Sequence, residues 1–289
     1  MKEQKYILKN PDTFVLKDIF ECGQCFRWNL QEDGSYIGII KEGVISVRQI
    51  DKDFIFSGIC NDDLEKIVIK YFDLNRDYNE IKNRLSKIDS NLKKSIEYGN
   101  GIRILNQDLW EMIISFIISA NNNIPRIKGI IDRLSKAYGD EIIWNNNKYY
   151  TFPTPEQLKD VSIEEYRNLG LGFRDIRLYE TTKMILNNEV NLKELESEET
   201  NIVRDKLLTL SGVGPKVADC ILLFSTLKRF EVFPIDVWVR RVMNELYIKN
   251  KDENKVSKKQ IMDIANVKFG NMAGIAQQYL FYWKREEAV

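Results

Sequence analysis

The chain has 289 residues, 44% hydrophobic and 30% charged, enough for one or two domains with real cores. It contains no histidine, which excludes His-based triads, imidazole general bases and the usual zinc-hydrolase ligand sets together. The 43 basic residues balance 43 acidic ones, so net charge neither points to nucleic acid nor excludes it, because a local basic patch and backbone amides suffice to hold phosphates.

The N-terminal MKEQKYILKNPD lacks the apolar core of a signal peptide, and no stretch reaches the ~18 apolar residues of a membrane span. The expectation is a cytoplasmic protein without a membrane anchor. Four cysteines are too few for a disulfide scaffold in a chain of this length. Cys22 and Cys25 form a C-x-x-C that suggests a redox or zinc pair, but no second pair accompanies it. Residues 36–58 alternate apolar and polar residues between Gly and Asp punctuation, which predicts antiparallel strands joined by short turns. Residues 62–96 carry helical spacing and abundant charge. From Ile102 onward the strand signal nearly disappears, and LWEMIISFIISANNNIPRIKGIIDRLSKAYG predicts helices on both sides of an Asn-rich break. Two amphipathic helices follow over 155–169 and 173–187, separated by Gly-Leu-Gly. The segment 197–210 offers a Ser or Thr cap with carboxylates in the first turn. The predicted fold is an α+β N-terminal domain over 1–100 with an antiparallel sheet, then a mainly helical domain over 101–289.

The segment LLTLSGVGPKVADC, 207–220, carries the most information. A helix ends at Leu210, a Ser-Gly-Val-Gly turn follows, and Pro215 opens the next helix, where its missing N–H costs nothing. Gly212 and Gly214 can take positive φ and leave room for a second backbone. The amides of Gly212, Gly214 and Val217 then face outward at the positive end of a helix dipole, a seat for a phosphate. A lone G-x-G is more often a bare interhelical turn. Lys216, directly after the hairpin, and Asp236, twenty residues on in FPIDVWVRR, shift that balance. Lys216 lies in the first turn of its helix, where the dipole disfavours the ammonium form, and a neutral amine can form a Schiff base. Asp236 is placed to cap a helix and to stabilise positive charge on a sugar. Read separately, Asp236 is only a cap and Lys216 only a phosphate contact; together they propose chemistry.

LSGVGPKVADC followed by PID resembles the helix-hairpin-helix, Gly/Pro-rich loop and aspartate signature of the base-excision DNA glycosylases, and KVADC resembles the 8-oxoguanine DNA glycosylase family in particular. GQCFRW (Gly23 to Trp28), ISANNNIPRI (Ile118 to Ile127), LGLGFR (Leu169 to Arg174) and AGIAQQYLF (Ala273 to Phe281) resemble that family's other motifs, in its order. The resemblance implies a TATA-binding-protein-like sheet in the N-terminal domain and a helix-hairpin-helix glycosylase domain after it. It implies a bifunctional glycosylase and lyase that excises 8-oxoguanine opposite cytosine from duplex DNA.

Carried over position by position, the resemblance makes Lys216 the nucleophile at C1′ and Asp236 the carboxylate that assists departure of the base. The Gly23 carbonyl accepts the N7–H that 8-oxoguanine has and guanine lacks. Gln277 reads the Watson–Crick edge. Phe281, four residues on and so on the same helical face, and Cys220 wall the flipped base. Asn121 fills the gap left in the duplex, Arg126 and Arg174 bond the orphaned cytosine, and Phe173 is the wedge. The carbonyls of Leu208, Leu210 and Val213 match positions that hold a structural monovalent or calcium ion. No further cofactor is implied, and the absence of a C-terminal four-cysteine set argues against an iron–sulfur cluster.

Trp238 stands where animal relatives carry a histidine phosphate contact, and Lys284 lies near a position that is acidic in them. Arg240 and Arg241 are a solvated basic pair or phosphate contacts. A Lys216/Cys220 ion pair is compatible with their i, i+4 spacing but is not assigned by it. The alternatives are a glycosylase for another oxidised base and a non-catalytic hairpin protein that binds DNA. The Ile-, Lys- and Asn-rich composition suggests a prokaryotic source, with the protein nucleoid-associated through its DNA, and a single hairpin suggests a monomer.

Overall fold

Alternation along residues 36–60 builds three consecutive antiparallel strands, to which two flanking strands add. In chain order these are β1 (Lys2–Leu8), β2 (Trp28–Leu30), β3 (Tyr36–Ile40), β4 (Gly43–Ile50) and β5 (Asp53–Cys60), arranged in space as β1-β5-β4-β3-β2. This computed structural model describes residues 1–252 and 255–287. Register is held by side chains that stop at Cα: a Cβ on Gly38 would lie 2.4 Å from the Trp28 ring, and one on Gly58 2.1 Å from the Val44 carbonyl oxygen. The inner sheet face buries Phe14, Phe20, Trp28, Phe54, Phe56 and Phe72. Trp28 stacks on Phe20 with centroids 4.2 Å apart and donates from Nε1 to the Tyr71 hydroxyl at 3.0 Å, so the indole is both packed and satisfied.

Helix α1 (Leu16–Glu21) leads from β1 into the loop before β2, and the helical region predicted over 62–96 divides into α2 (Leu64–Tyr71), α3 (Tyr78–Ser86) and α4 (Ser90–Tyr98). Aspartate side chains start all three: Asp63 accepts from the Glu65 N–H, Asp77 from that of Glu80, and Asp89 from those of Asn91 and Leu92. Leu85, Leu92 and Ile96 of α3 and α4 point into the core of the helical region, so the two parts share a seam.

That core is organised around α5 (Leu109–Ser119), in which only Glu111 and Ser119 escape full burial; a helix apolar on nearly all sides must lie centrally. Asn121, in the left-handed region at φ 51°, turns the chain into α6 (Ile124–Tyr138), capped by Asn123. Three expectations fail beyond this point. A short hairpin, β6 (Glu141–Trp144) and β7 (Asn147–Tyr150), interrupts the helices, its turn made by Asn145 and Asn146 at φ 49° and 61°. Residues 155–160 form turns, and the helix predicted over 155–169 is confined to α7 (Ile163–Asn168), which Ser162 and Glu165 start with a reciprocal capping box.

Gly170 and Gly172, at φ 89° and 57°, redirect the chain into α8 (Asp175–Leu186), and α9 (Leu192–Leu195) follows. Helix α10 (Thr200–Thr209) is not started as the sequence suggested: Glu199 is its N-cap, makes no side-chain cap bond, and its first turn has no carboxylate. Tertiary burial of Val203 and Leu207 holds this helix instead. The remaining helices are α11 (Pro215–Phe224), α12 (Val237–Met243) with a π-helical turn at Asn244–Ile248, α13 (Lys258–Phe269) and α14 (Ala273–Glu287). Among the described residues no helix is long and apolar enough to cross a membrane.

Candidate active site

The turn between α10 and α11 has the shape the sequence predicted, with one difference. Gly212 sits at φ 82°, where a Cβ would strike the Arg177 side chain at 2.7 Å. Gly214 is extended, at φ −93°, and serves as N-cap of α11 with open space where a Cβ would be. Glycine is therefore required at 212 by conformation and at 214 only by what approaches from outside. Pro215 and the amides of the first turn face that opening, since no earlier carbonyl of the helix is in place to accept them. The turn is fastened to α8 by the Thr181 hydroxyl, which donates to the Ser211 carbonyl at 2.9 Å. The Leu210 carbonyl accepts the Val213 N–H at 3.1 Å, leaving it one lone pair for any further partner.

In the first turn of α11, Lys216 is half-buried with Nζ 5.5 Å from the centroid of Phe116, a ring that Phe26 of the N-terminal motif packs against edge-on. Asp236 caps α12, accepting the Val239 N–H at 2.8 Å. Cys220 ties the two together. Its thiol is pushed up to about 11, first by burial, while Lys216 beside it acts in the opposite direction through charge and a hydrogen bond, and the Asp219 and Asp236 carboxylates push further upward. Near neutral pH the Cys220 side chain is therefore a neutral, polarisable thiol and not the anion of an ion pair.

The loop that carries Gly23 is bolted on three sides by glutamines that sequence reasoning passed over. Gln24 donates to the Ile19 and Arg103 carbonyls at 2.9 and 2.8 Å and accepts the Leu105 N–H at 2.9 Å. Gln107 donates to the Gln24 and Phe224 carbonyls. Gln278 of α14 donates to the Cys22 carbonyl at 2.5 Å. Gly23 itself is at φ 91°, a conformation that favours glycine, and a Cβ there would lie 3.5 Å from the Phe281 ring and 3.2 Å from Arg285 Nη1. Helix α14 can lie this close to α11 because residue 274 is glycine; a Cβ would meet Leu223 at 2.7 Å. One turn along α14 from that crossing, Gln277 is 95% buried with Oε1 unpaired. Such an orphaned acceptor in a site with donors close by is a place for a ligand.

The residues expected to face duplex DNA separate into two kinds. Asn121, Arg126 and Phe173 are exposed. The Phe173 ring is 53% accessible and lies under two guanidinium groups, those of Arg174 at 4.2 Å and Arg177 at 5.0 Å. Arg174 is different: it is 1% exposed, and its guanidinium donates to the carbonyls of Ala120 (2.9 Å from Nε), Asn121 (2.8 Å) and Leu171 (3.1 Å). Here it holds the Asn-rich turn in place. Trp238 is 40% exposed with Arg241 over its ring, and Lys284 pairs with Glu245 at 2.7 Å, tying α14 to the π-helical turn. An open cleft on the outer sheet face, bordered by Lys5, Arg48, Trp144 and Tyr149, contains none of the candidate residues.

A helix-hairpin-helix with a lysine at the head of its second helix and an aspartate-capped helix beside it define the class of the base-excision DNA glycosylases. Comparison with known proteins agrees. The family model described as 8-oxoguanine DNA glycosylase, N-terminal domain, matches residues 6–113, and that of the HhH-GPD superfamily base excision DNA repair proteins matches 114–266. A probable N-glycosylase/DNA lyase of Methanothermobacter thermautotrophicus is 32% identical over 75% of this chain and 74% of its own length. An N-glycosylase/DNA lyase of Saccharomyces cerevisiae is 31% identical over 94% of this chain and 84% of its own. Among solved structures, the Clostridium acetobutylicum 8-oxoguanine glycosylase/lyase, in complex with double-stranded DNA containing cytosine opposite 8-oxoguanine, superposes with a TM-score of 0.93. It is 44% identical, and the match covers 100% of this chain and 98% of that one. The chain belongs to the 8-oxoguanine DNA glycosylase family.

Proposed function

We propose that this protein excises 8-oxoguanine from duplex DNA, by preference opposite cytosine, and then nicks the strand at the abasic site through an imine on Lys216. The observation that carries this reading is Lys216 in the first turn of α11, directly after the glycine hairpin, with Asp236 capping α12 and the buried Cys220 within electrostatic reach of both. The flipped base would lie between that thiol and Phe281, its N7–H on the Gly23 carbonyl and its Watson–Crick edge on Gln277. Asp236 stabilises the positive charge that develops on the sugar as the glycosidic bond breaks. The Lys216 amine adds to C1′, and the base leaves with the glycosidic electron pair and takes up the proton that the amine gives up. Ring opening then gives the protonated imine, and loss of a C2′ proton expels the 3′ phosphate.

Asn121 and Phe173 are assigned to the gap and the wedge, and Arg126 to the orphaned cytosine, with Arg174 acting on the same turn from inside. The hairpin residues Gly212, Gly214 and Val217 hold phosphate, and the carbonyls of Leu208, Leu210 and Val213 are the place for a structural cation. The chemistry needs no other cofactor and one copy of the chain, acting on DNA in a prokaryotic cytoplasm. The test is borohydride trapping on a duplex carrying 8-oxoguanine opposite cytosine. Wild type should form a covalent adduct and Lys216→Gln none; trapping that survives in the variant would sink the mechanism. A lesion panel in the same assay separates 8-oxoguanine from other oxidised bases.

A further inference from the structure

Residues 277, 281 and 285 fall at four-residue intervals on one face of α14. The first two belong to the pocket proposed above; the third has no role in it. Arg285 nevertheless reaches the pocket, because long helical side chains lean back toward the N-terminus of their helix. Its Nη2 donates to the Glu21 carbonyl, its Nε and Nη2 to Glu286 at 3.2 and 2.9 Å, and its guanidinium carbon lies 5.5 Å from the Phe281 ring centroid. Nη1 alone is left over. It is buried without a partner and lies 3.2 Å from where a Cβ on Gly23 would be. A buried N–H of a charged group with nothing to donate to is costly unless a ligand completes it. Gln277 Oε1 is the matching orphaned acceptor.

We infer that Arg285 Nη1 donates a hydrogen bond to O8, the carbonyl oxygen at C8 of the flipped 8-oxoguanine. The inference rests on the substrate reading above. With the Watson–Crick edge on Gln277 and N7–H on Gly23, C8 lies at the end of the purine away from Gln277. Arg285 stands on that side, about 12 Å along the helix face. Guanine has no O8, so this contact is a second discriminator beside the N7–H.

Single-turnover base release from an 8-oxoguanine·cytosine duplex, set beside strand cleavage at a preformed abasic site, tests the assignment. Arg285→Leu should slow base release roughly 10- to 100-fold, the loss of one charge-assisted hydrogen bond. Abasic-site cleavage should stay within about twofold, because no base is present to contact. Arg285→Lys keeps the charge but has one nitrogen for three acceptors, so it should fall between, and it carries the comparison alone should the leucine variant not fold. Equal loss on both substrates would make Arg285 a brace for α14, and unchanged base release would remove it from the pocket; either overturns the inference. Affinity for uncleavable 2′-fluorinated duplexes identifies the atom. The leucine variant should lose more affinity for 8-oxoguanine than for 8-thioguanine, whose sulfur is a weaker acceptor, and equal losses overturn the assignment to O8. Wild-type protein that releases no 8-oxoguanine would instead refute the substrate reading.

Discussion

Replacing Arg174 by alanine is expected to unfasten the turn that presents Asn121, and to do so before any DNA is bound. The side chain is 1% exposed and serves the carbonyls of Ala120, Asn121 and Leu171. The bond to Leu171 is fully buried, but that carbonyl keeps the backbone N–H of residue 174 at 3.4 Å, so losing the guanidinium there costs about 0.5–1.5 kcal/mol. The Ala120 and Asn121 carbonyls are nearer solvent, and water can replace part of what they lose, at about 0.5–1 kcal/mol each. Part of this is offset, because burial and the neighbouring Arg126 and Arg177 charges already disfavour the Arg174 cation. The net loss should be about 1–3 kcal/mol, read as a lower urea midpoint in the DNA-free protein. Arg174→Lys, with one ammonium for three acceptors, should recover less than half. Lesion-duplex affinity should fall as well, because Asn121 at positive φ depends on this anchor. An alanine variant as stable as wild type but impaired on DNA would refute the anchoring role and make Arg174 a direct DNA contact.

Two further outcomes follow from buried or exposed charge. Burial raises the Glu111 carboxyl from 4.5 to about 7, against the pull of Arg27 3.6 Å away. The folded protein then binds this proton more tightly than the unfolded chain, so the contribution to stability is full below pH 4.5 and is lost as pH rises to about 7, on the order of 3 kcal/mol. Glu111→Gln should flatten that part of the profile; an unchanged difference between urea midpoints at pH 5 and pH 8 would count against the assignment. Arg126 is exposed beside the Gly170 carbonyl, free to reach an unpaired base. Arg126→Ala should lower the preference for cytosine over other opposite bases by about 1–3 kcal/mol in single-turnover kinetics, and an unaltered ranking would remove it from that role.

Much of this molecule is local enough to be legible without coordinates. Strands β3, β4 and β5 follow from a two-residue alternation, and Pro215 with Gly212 marks the hairpin, because turn chemistry depends on adjacent residues. Gln277 and Phe281 share a face by helical spacing alone; Arg285 continues that face one step further on, and sequence reasoning passed over it. The β6–β7 hairpin also had a local signal in the Asn145-Asn146 turn, outweighed by the helical pattern around it. The start of α10 had the opposite fault: a cap-like sequence that the chain does not use, since core burial sets that boundary.

Which residues carry the proposed chemistry, Lys216 and Asp236, was determined by the sequence, because each lies at a helix start that its own neighbours define. What they face was decided by tertiary structure. Cys220 stays a neutral thiol through burial, Arg174 turns inward because carbonyls 53 and 54 residues away accept it, and Arg285 is held beside Gly23 by an anchor at Glu21, 264 residues away. Desolvation and the pairing of remote backbone groups exist only in the packed molecule, and no local pattern encodes them.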